Sequence, residues 1–336
     1  MKTSKRFAAI TISLILSALI LTACGGSASD PAEGESKSYT VGVIQFATHP
    51  SLDNCYEGFV KGLAEKGLVD GKNLTIDFQN ANLEMSNSDL QAKNMVTSNC
   101  DLIVGIATPA AMSAYAAAKD SDIPVVFTAV SDPVHAGIVK SLDAPGGNCT
   151  GSADILDFDA QVGMIKGFLP NAKTIGVIYT TSEANSVSQL ARLTEVAEAN
   201  GLAVESIGVT NGSEVGQAAA ALIAKGVDCF NNLTDNNMVD NLTTVLHKTD
   251  EAGIPVFGSE IEQVKNGCLA SQSIDYVELG RVTGVIAADI ILGTSTPATT
   301  PVAIESVCFP VYNSAVAEKL NLTLPSEFSE IMDTAK

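Results

Sequence analysis

The chain has 336 residues, with 38 Asp and Glu against 19 Lys and Arg, a formal charge of −19, and it contains no tryptophan. So acidic a chain, with no lysine or arginine cluster to follow phosphates, is excluded as a nucleic-acid binder. Its six cysteines after Cys24 are nowhere closer than 39 residues, which excludes Cys-x-x-Cys and zinc-site spacing.

Lys2, Lys5 and Arg6 precede an apolar run over 7–21, followed by Leu21-Thr22-Ala23-Cys24. A charged start, a short apolar core and small residues before the cut read as a secretory signal peptide, too short for a spanning helix. The ending resembles a bacterial lipobox, which implies removal of 1–23 and lipidation of Cys24. Residues 24–38, rich in Gly, Ser, Ala and Glu, read as a flexible tether. Without 1–23 the chain carries 16 basic and 38 acidic side chains, a formal −22. The body is therefore expected outside the cytoplasm, lipid-anchored to the bacterial cell membrane. Cys55, Cys100, Cys149, Cys229, Cys268 and Cys308 read mainly as small core hydrophobes, although export permits disulfides.

From Tyr39 onward, short apolar runs alternate with amphipathic or alanine-rich stretches. Strands are predicted at 40–46, 74–80, 102–106, 125–129, 174–179, 203–209, 228–231 and 256–258. Helices are predicted at 52–66, 87–98, 109–119, 160–168, 186–200, 213–224 and 236–251. Such alternation specifies parallel sheets wrapped by helices. The run Leu102 to Ile106 leading into Thr108-Pro109 has an echo at Asp228 to Asn236, and three further landmarks recur at similar offsets, so the body reads as two similar lobes. The glycine-flanked segment 146–151, the stretch 268–272 and the stretch 303–309 are predicted to cross between them, with 277–292 a helix returning to the first lobe. The fold class is therefore α/β, two doubly wound parallel-sheet lobes joined by a three-segment hinge. The N-terminal lobe is assigned 39–149 plus 274–300, and the C-terminal lobe 150–273 plus 301–336. Such a cleft can shut around a small ligand.

The segments Val41-Gly42-Val43-Ile44-Gln45-Phe46, Ile106-Ala107-Thr108-Pro109-Ala110-Ala111, Val126 to Pro133, Pro145 to Gly151, Glu183-Ala184-Asn185-Ser186, Thr234-Asp235-Asn236 and Glu278-Leu279-Gly280-Arg281 occur in one order over about 39–325. In these the chain resembles the ABC-transporter substrate-binding lipoproteins of the tryptophan/aromatic amino-acid type. The resemblance implies the type I periplasmic-binding-protein fold, an ABC permease and its ATPase as partners, and L-tryptophan, L-phenylalanine or L-tyrosine as ligand. It departs from the pattern at Thr48, before His49-Pro50, and at Leu233, before Thr234-Asp235.

Contacts in such a cleft come from loops after the strands. The candidates are Gln45, Phe46, Thr108, Pro109, Ala110, Thr128, Asn185, Ser186, Asp235, Asn236 and Glu260. An amino acid needs N–H or hydroxyl donors for its carboxylate and an anionic acceptor for its ammonium. Thr108 and Ser186, each at a helix start, suit the first; Asp235 suits the second. All three are equally suited to helix capping, and Phe46 to either a ligand ring or the core. His49, His135 and His247 are scattered, so none is read as a ligand. No nucleophile elbow, P-loop or zinc-protease motif is present, so a monomeric binding protein without cofactor or enzymatic activity is expected. A sensing protein that feeds a membrane receptor, or an importer of another solute, is the alternative.

Overall fold

Strands buried on both faces are written as continuous apolar runs, and that rule builds two sheets in the computed structural model. The structure describes residues 37–304, 308–326 and 332–335. The signal peptide, Cys24 and 25–36 of the tether lie outside the described residues. In chain order the first lobe contains β1 (Tyr39–Gln45), α1 (Pro50–Glu65), β2 (Leu74–Asn80), α2 (Met85–Thr97), β3 (Leu102–Ile106), α3 (Thr108–Ala118), β4 (Val125–Thr128) and β5 (Cys149–Ala153). The second contains α4 (Phe158–Phe168), β6 (Thr174–Thr180), α5 (Ala184–Ala199), β7 (Ala203–Val209), α6 (Val215–Lys225), β8 (Cys229–Asn231), α7 (Asn236–Asp240), α8 (Leu242–Ala252), β9 (Val256–Phe257), α9 (Ile261–Lys265) and β10 (Ala270–Ser273). The remainder is α10 (Tyr276–Ile291), β11 (Ala303–Ile304), β12 (Phe309–Tyr312), α11 (Ser314–Lys319) and β13 (Met332–Asp333).

The first sheet runs β11-β5-β4-β3-β1-β2, parallel throughout. The second runs β7-β6-β8-β9, also parallel, and bonds from Leu269 N to Val256 O and from Gly258 N to Ala270 O connect it to β10, β12 and β13. β5 and β11 both pair within the first sheet, so the chain crosses after Ala153 and after Ile304. The second lies within the stretch 303–309 expected to cross, although past the lobe boundary set at 300/301; the first falls later than the expected break at 149/150, because the backbone of β5 continues the ladder of β4. The helix expected over 236–251 is two, α7 and α8, broken at Asn241, whose side chain donates back to Asn237 O at 2.9 Å.

One apolar core covers the first sheet, around Phe59 and Phe127, and two flank the second, around Phe257 and Phe230. Cys55, Cys100, Cys149, Cys229 and Cys268 are buried free thiols within these cores.

The tightest joint is between α1 and α10. Gly58 and Gly62 of α1 face Gly280 and Gly284 of α10. A Cβ at Gly58 would stand 2.0 Å from Val277 O, one at Gly280 2.0 Å from Cys55 O, and one at Gly284 2.2 Å from Phe59 O. With no side chains between them the two backbones touch, and α10 is held on the first lobe. Gly280→Ala forces the helices apart and is expected to lower stability by about 1–3 kcal/mol, read as a lower midpoint in urea with an unchanged slope.

Candidate functional site

The loops leaving the carboxyl ends of the strands meet across the two lobes around a narrow cavity. From the first lobe it is lined by His49, Ser51 and Leu52 at the start of α1, Ala107 and Thr108 after β3, Ala129 after β4 and Asp154 after β5. The second lobe contributes Asn185, Thr234, Asn236, Val239 and Glu260, and Tyr276 opens α10. A cleft between two lobes, lined by loops from both, is the place where such a fold takes up a small molecule.

Two residues in this lining are strained. Ala107 has φ 79° and Ala129 φ 54°, left-handed backbone in residues that carry a Cβ. Each such residue costs roughly 1–3 kcal/mol and persists at sites where the surroundings impose it. Ala107 is the turn from β3 into α3, the helix that begins with Thr108 and Pro109. Its first-turn N–H groups have no carbonyl within the helix, and Thr108 Oγ1 is buried without a partner among the described residues. Helix start and free hydroxyl together form a seat for an anionic group.

Four carboxylates are buried at or beside the cavity: Asp154, Glu183, Asp235 and Glu260. None joins an ion pair among the described residues. No lysine or arginine lines the cavity. Asp154 accepts from Ser131 Oγ at 3.2 Å and from Tyr276 OH at 2.9 Å, yet burial pushes its carboxyl up to about 6. Glu260 accepts from Ser51 Oγ at 2.9 Å, Glu262 N at 2.7 Å and Gln263 N at 2.8 Å, and burial raises it to about 7. Glu183 receives both the backbone and side-chain N–H of Asn236; burial, then the nearby Asp235, push it up to about 8. Buried negative charge without a counter-ion is costly, and the cavity is accordingly suited to a cationic group.

The expected site residues divide. Thr108, Asn185, Asn236 and Glu260 line the cavity. Phe46 instead lines a larger groove at the mouth of the cleft, with Leu83 and Asp240. Pro109 and Ala110 are buried in the first turn of α3, behind Thr108. Thr128 is buried and accepts from Ser152 Oγ at 3.1 Å. Gln45 lies outside the lining; its Nε2 donates within its own lobe to Ala47 O and Asp53 Oδ1, both at 2.8 Å, while its Oε1 is buried without a partner among the described residues. Asp235 and Ser186 are brought together, but with each other: Asp235 accepts from Ser186 Oγ at 2.7 Å, Thr180 N at 2.6 Å, Thr180 Oγ1 at 2.8 Å and Met238 N at 3.0 Å. With four donors on two oxygens Asp235 is a buried cap of α7, outside the lining, and has no vacancy for an ammonium. Sequence reasoning discounted His49 as a scattered histidine and passed over Asp154, Tyr276, Ser51, Leu52 and Val239. Asp154 and Tyr276 sit on crossing segments and are tied together there, a position the repeat pattern marks as linker.

The two lobes also touch directly. Ser51 reaches Glu260, His49 Nε2 lies 3.4 Å from Asn236 Oδ1, and Gln189 Nε2 donates to Ser131 Oγ at 2.7 Å. The cleft is closed.

Over residues 40–335 the chain matches the family model described as ABC transporter substrate binding protein. The chain belongs to that family. It is an extracytoplasmic solute-binding protein of an ABC transporter. A protein of Clostridioides difficile (strain R20291) called "Tyrosine-binding protein" is 40% identical over 298 residues, covering 87% of this chain and 86% of that one. The crystal structure of an ABC domain from Streptococcus pneumoniae in complex with L-Trp is 37% identical, covers 88% of this chain and 99% of its own, and superposes with a TM-score of 0.84. The ligand-free, open structure of a Clostridium difficile substrate binding protein is 39% identical over 88% of this chain and 98% of its own, yet reaches only 0.67. At equal kinship the substrate-binding protein described here thus matches the liganded relative better than the open one, in agreement with its closed cleft.

Because burial raises Asp154 and Glu260, their protonation favours the folded chain. That contribution is fully present below their ordinary values of 3.8 and 4.5 and is lost as pH rises through about 6 and about 7. In the ligand-free protein the urea midpoint is expected to fall between about pH 4 and pH 7, and Glu260→Gln to flatten that fall.

Proposed function

We propose that this protein captures an aromatic L-amino acid between its lobes and delivers it to an ABC permease and its ATPase, acting as a monomer held at the outer face of the membrane through a lipid on Cys24. The observation that carries the reading is the set of groups lining the cavity: a free hydroxyl at a helix start, buried carboxyl groups without a counter-ion, and no cationic side chain. Thr108 Oγ1 and the first N–H groups of α3 receive the ligand carboxylate. Asp154 and Glu260 receive the ammonium together with Asn185 Oδ1, whose amide nitrogen is already committed to Glu183 Oε2 at 3.1 Å and Thr234 O at 3.0 Å. Leu52 and Val239 offer apolar wall to the ring. The names of the two relatives, one tyrosine-binding and one solved with L-Trp, support an aromatic ligand.

The chain has no tryptophan, so bound L-tryptophan reports by its own emission against a dark background, and L-tyrosine and L-phenylalanine are followed by calorimetry. Thr108→Val is expected to leave the fold intact and to weaken binding by about 1–3 kcal/mol, the cost of an unmet charged hydrogen bond. Failure of all three amino acids to bind the folded protein would remove the ligand class. Cys24→Ala is expected to move the protein from the detergent phase to the aqueous phase; a variant that partitions like wild type refutes the anchor.

A further inference from the structure

A neutral hydrogen-bond acceptor stands without a partner in the cavity wall. Asn236 Nδ2 donates to Glu183 Oε2 at 2.6 Å, which fixes the orientation of that amide. Its Oδ1 is therefore the atom that meets His49 Nε2, at 3.4 Å, so Nε2 carries the ring proton. The other nitrogen, Nδ1, is left with a lone pair, buried and unpartnered among the described residues. Burial holds the ring below its ordinary value of 6.5, which disfavours a second proton.

Asp53 and Asp240 act on the ring from a distance without bonding to it, and two apolar residues share its cavity. Leu52 lies in the first turn of α1, just after the N-cap His49, Val239 lies three residues after Asn236 on the same face of α7, and all four line the cavity. An uncharged acceptor flanked by apolar side chains suits the single edge donor of an aromatic ring better than an ammonium, for which buried carboxylates are at hand.

We propose that His49 is the residue that reads the ligand's side chain, its Nδ1 accepting the phenol O–H of tyrosine or the indole N–H of tryptophan. The inference rests on the aromatic amino-acid reading above. Phenylalanine has no such donor and shuts the cleft over an unsatisfied acceptor. Because His49 belongs to the first lobe and Asn236 to the second, the tautomer is fixed on closure, so the side chain is read as the cleft shuts.

Calorimetric titration of the mature chain, as wild type, His49→Leu and His49→Gln, tests this with L-tyrosine, L-tryptophan, L-phenylalanine and O-methyl-L-tyrosine. Wild type is expected to bind tyrosine and tryptophan roughly tenfold or more tightly than phenylalanine and O-methyl-tyrosine. His49→Leu is expected to erase most of that preference, weakening tyrosine and tryptophan while phenylalanine stays within about threefold of wild type. His49→Gln, which restores a carbonyl acceptor, is expected to recover part of it. Equal loss for all three natural ligands in His49→Leu, or a wild type that binds phenylalanine as tightly as tyrosine and tryptophan, overturns the assignment. If His49→Leu does not fold, the wild-type comparison of tyrosine with phenylalanine and O-methyl-tyrosine still decides. Absence of binding by all three natural amino acids to folded wild type is a different result, which overturns the ligand class and this inference with it.

Discussion

The contact on which the site depends is backbone against backbone, where α1 and α10 cross at four glycines. α1 opens with His49, Ser51 and Leu52, and α10 with Tyr276, and all four residues line the cavity. Two helices separated by side chains can slide as rotamers change, whereas two whose main chains touch have no such freedom. The crossing therefore sets the spacing between the residues that meet the second lobe and the tyrosine that holds Asp154. In sequence it is visible only as glycines four apart in two distant helices.

The buried charge is organised by helix starts. Glu260 caps α9, Asp235 caps α7, and Glu183 accepts from Asn236 N and Asn237 N at the start of α7. Unpaired N–H groups and the positive end of each short helix hold these carboxylates in place of lysine or arginine. Asp154 differs: its partners are two hydroxyls, from Ser131 and Tyr276, with no helix start behind it. Acidic groups are thereby buried at and beside the cavity while its lining stays free of long flexible cations.

This division explains what was legible in the sequence. The alternation of strands and helices was readable because each parallel strand is a run of apolar residues and each helix a repeat of another period. The lobes were readable because that alternation occurs twice. The ends of β5 and β11 were not, since the polar Cys-Thr-Gly-Ser-Ala of β5 is a strand only because the backbone of β4 lies beside it. At the site, Thr108 was recoverable from its place after β3. Asp235 and Ser186 were assigned to a ligand because capping and binding call for the same residue types before a helix; only the hydrogen bond between them separates the two roles. His49 was discounted as isolated, and in sequence it is: Asn236, its neighbour across the cleft, is 187 positions away.

The polar links across the cleft, Ser51 to Glu260, His49 to Asn236 and Ser131 to Gln189, have in common that none is an ion pair. Every salt bridge among the described residues lies within one lobe. Neutral and singly charged hydrogen bonds can be exchanged for bonds to water at little net free energy, and they are screened far less by dissolved salt than attraction between two surface charges. Residence time is therefore governed by the cargo's own contacts, and the ease of opening changes little with ionic strength. For a protein working outside the cytoplasm, where salinity is set by the surroundings, the contacts that hold the lobes together are thus of the kind that dissolved salt disturbs least.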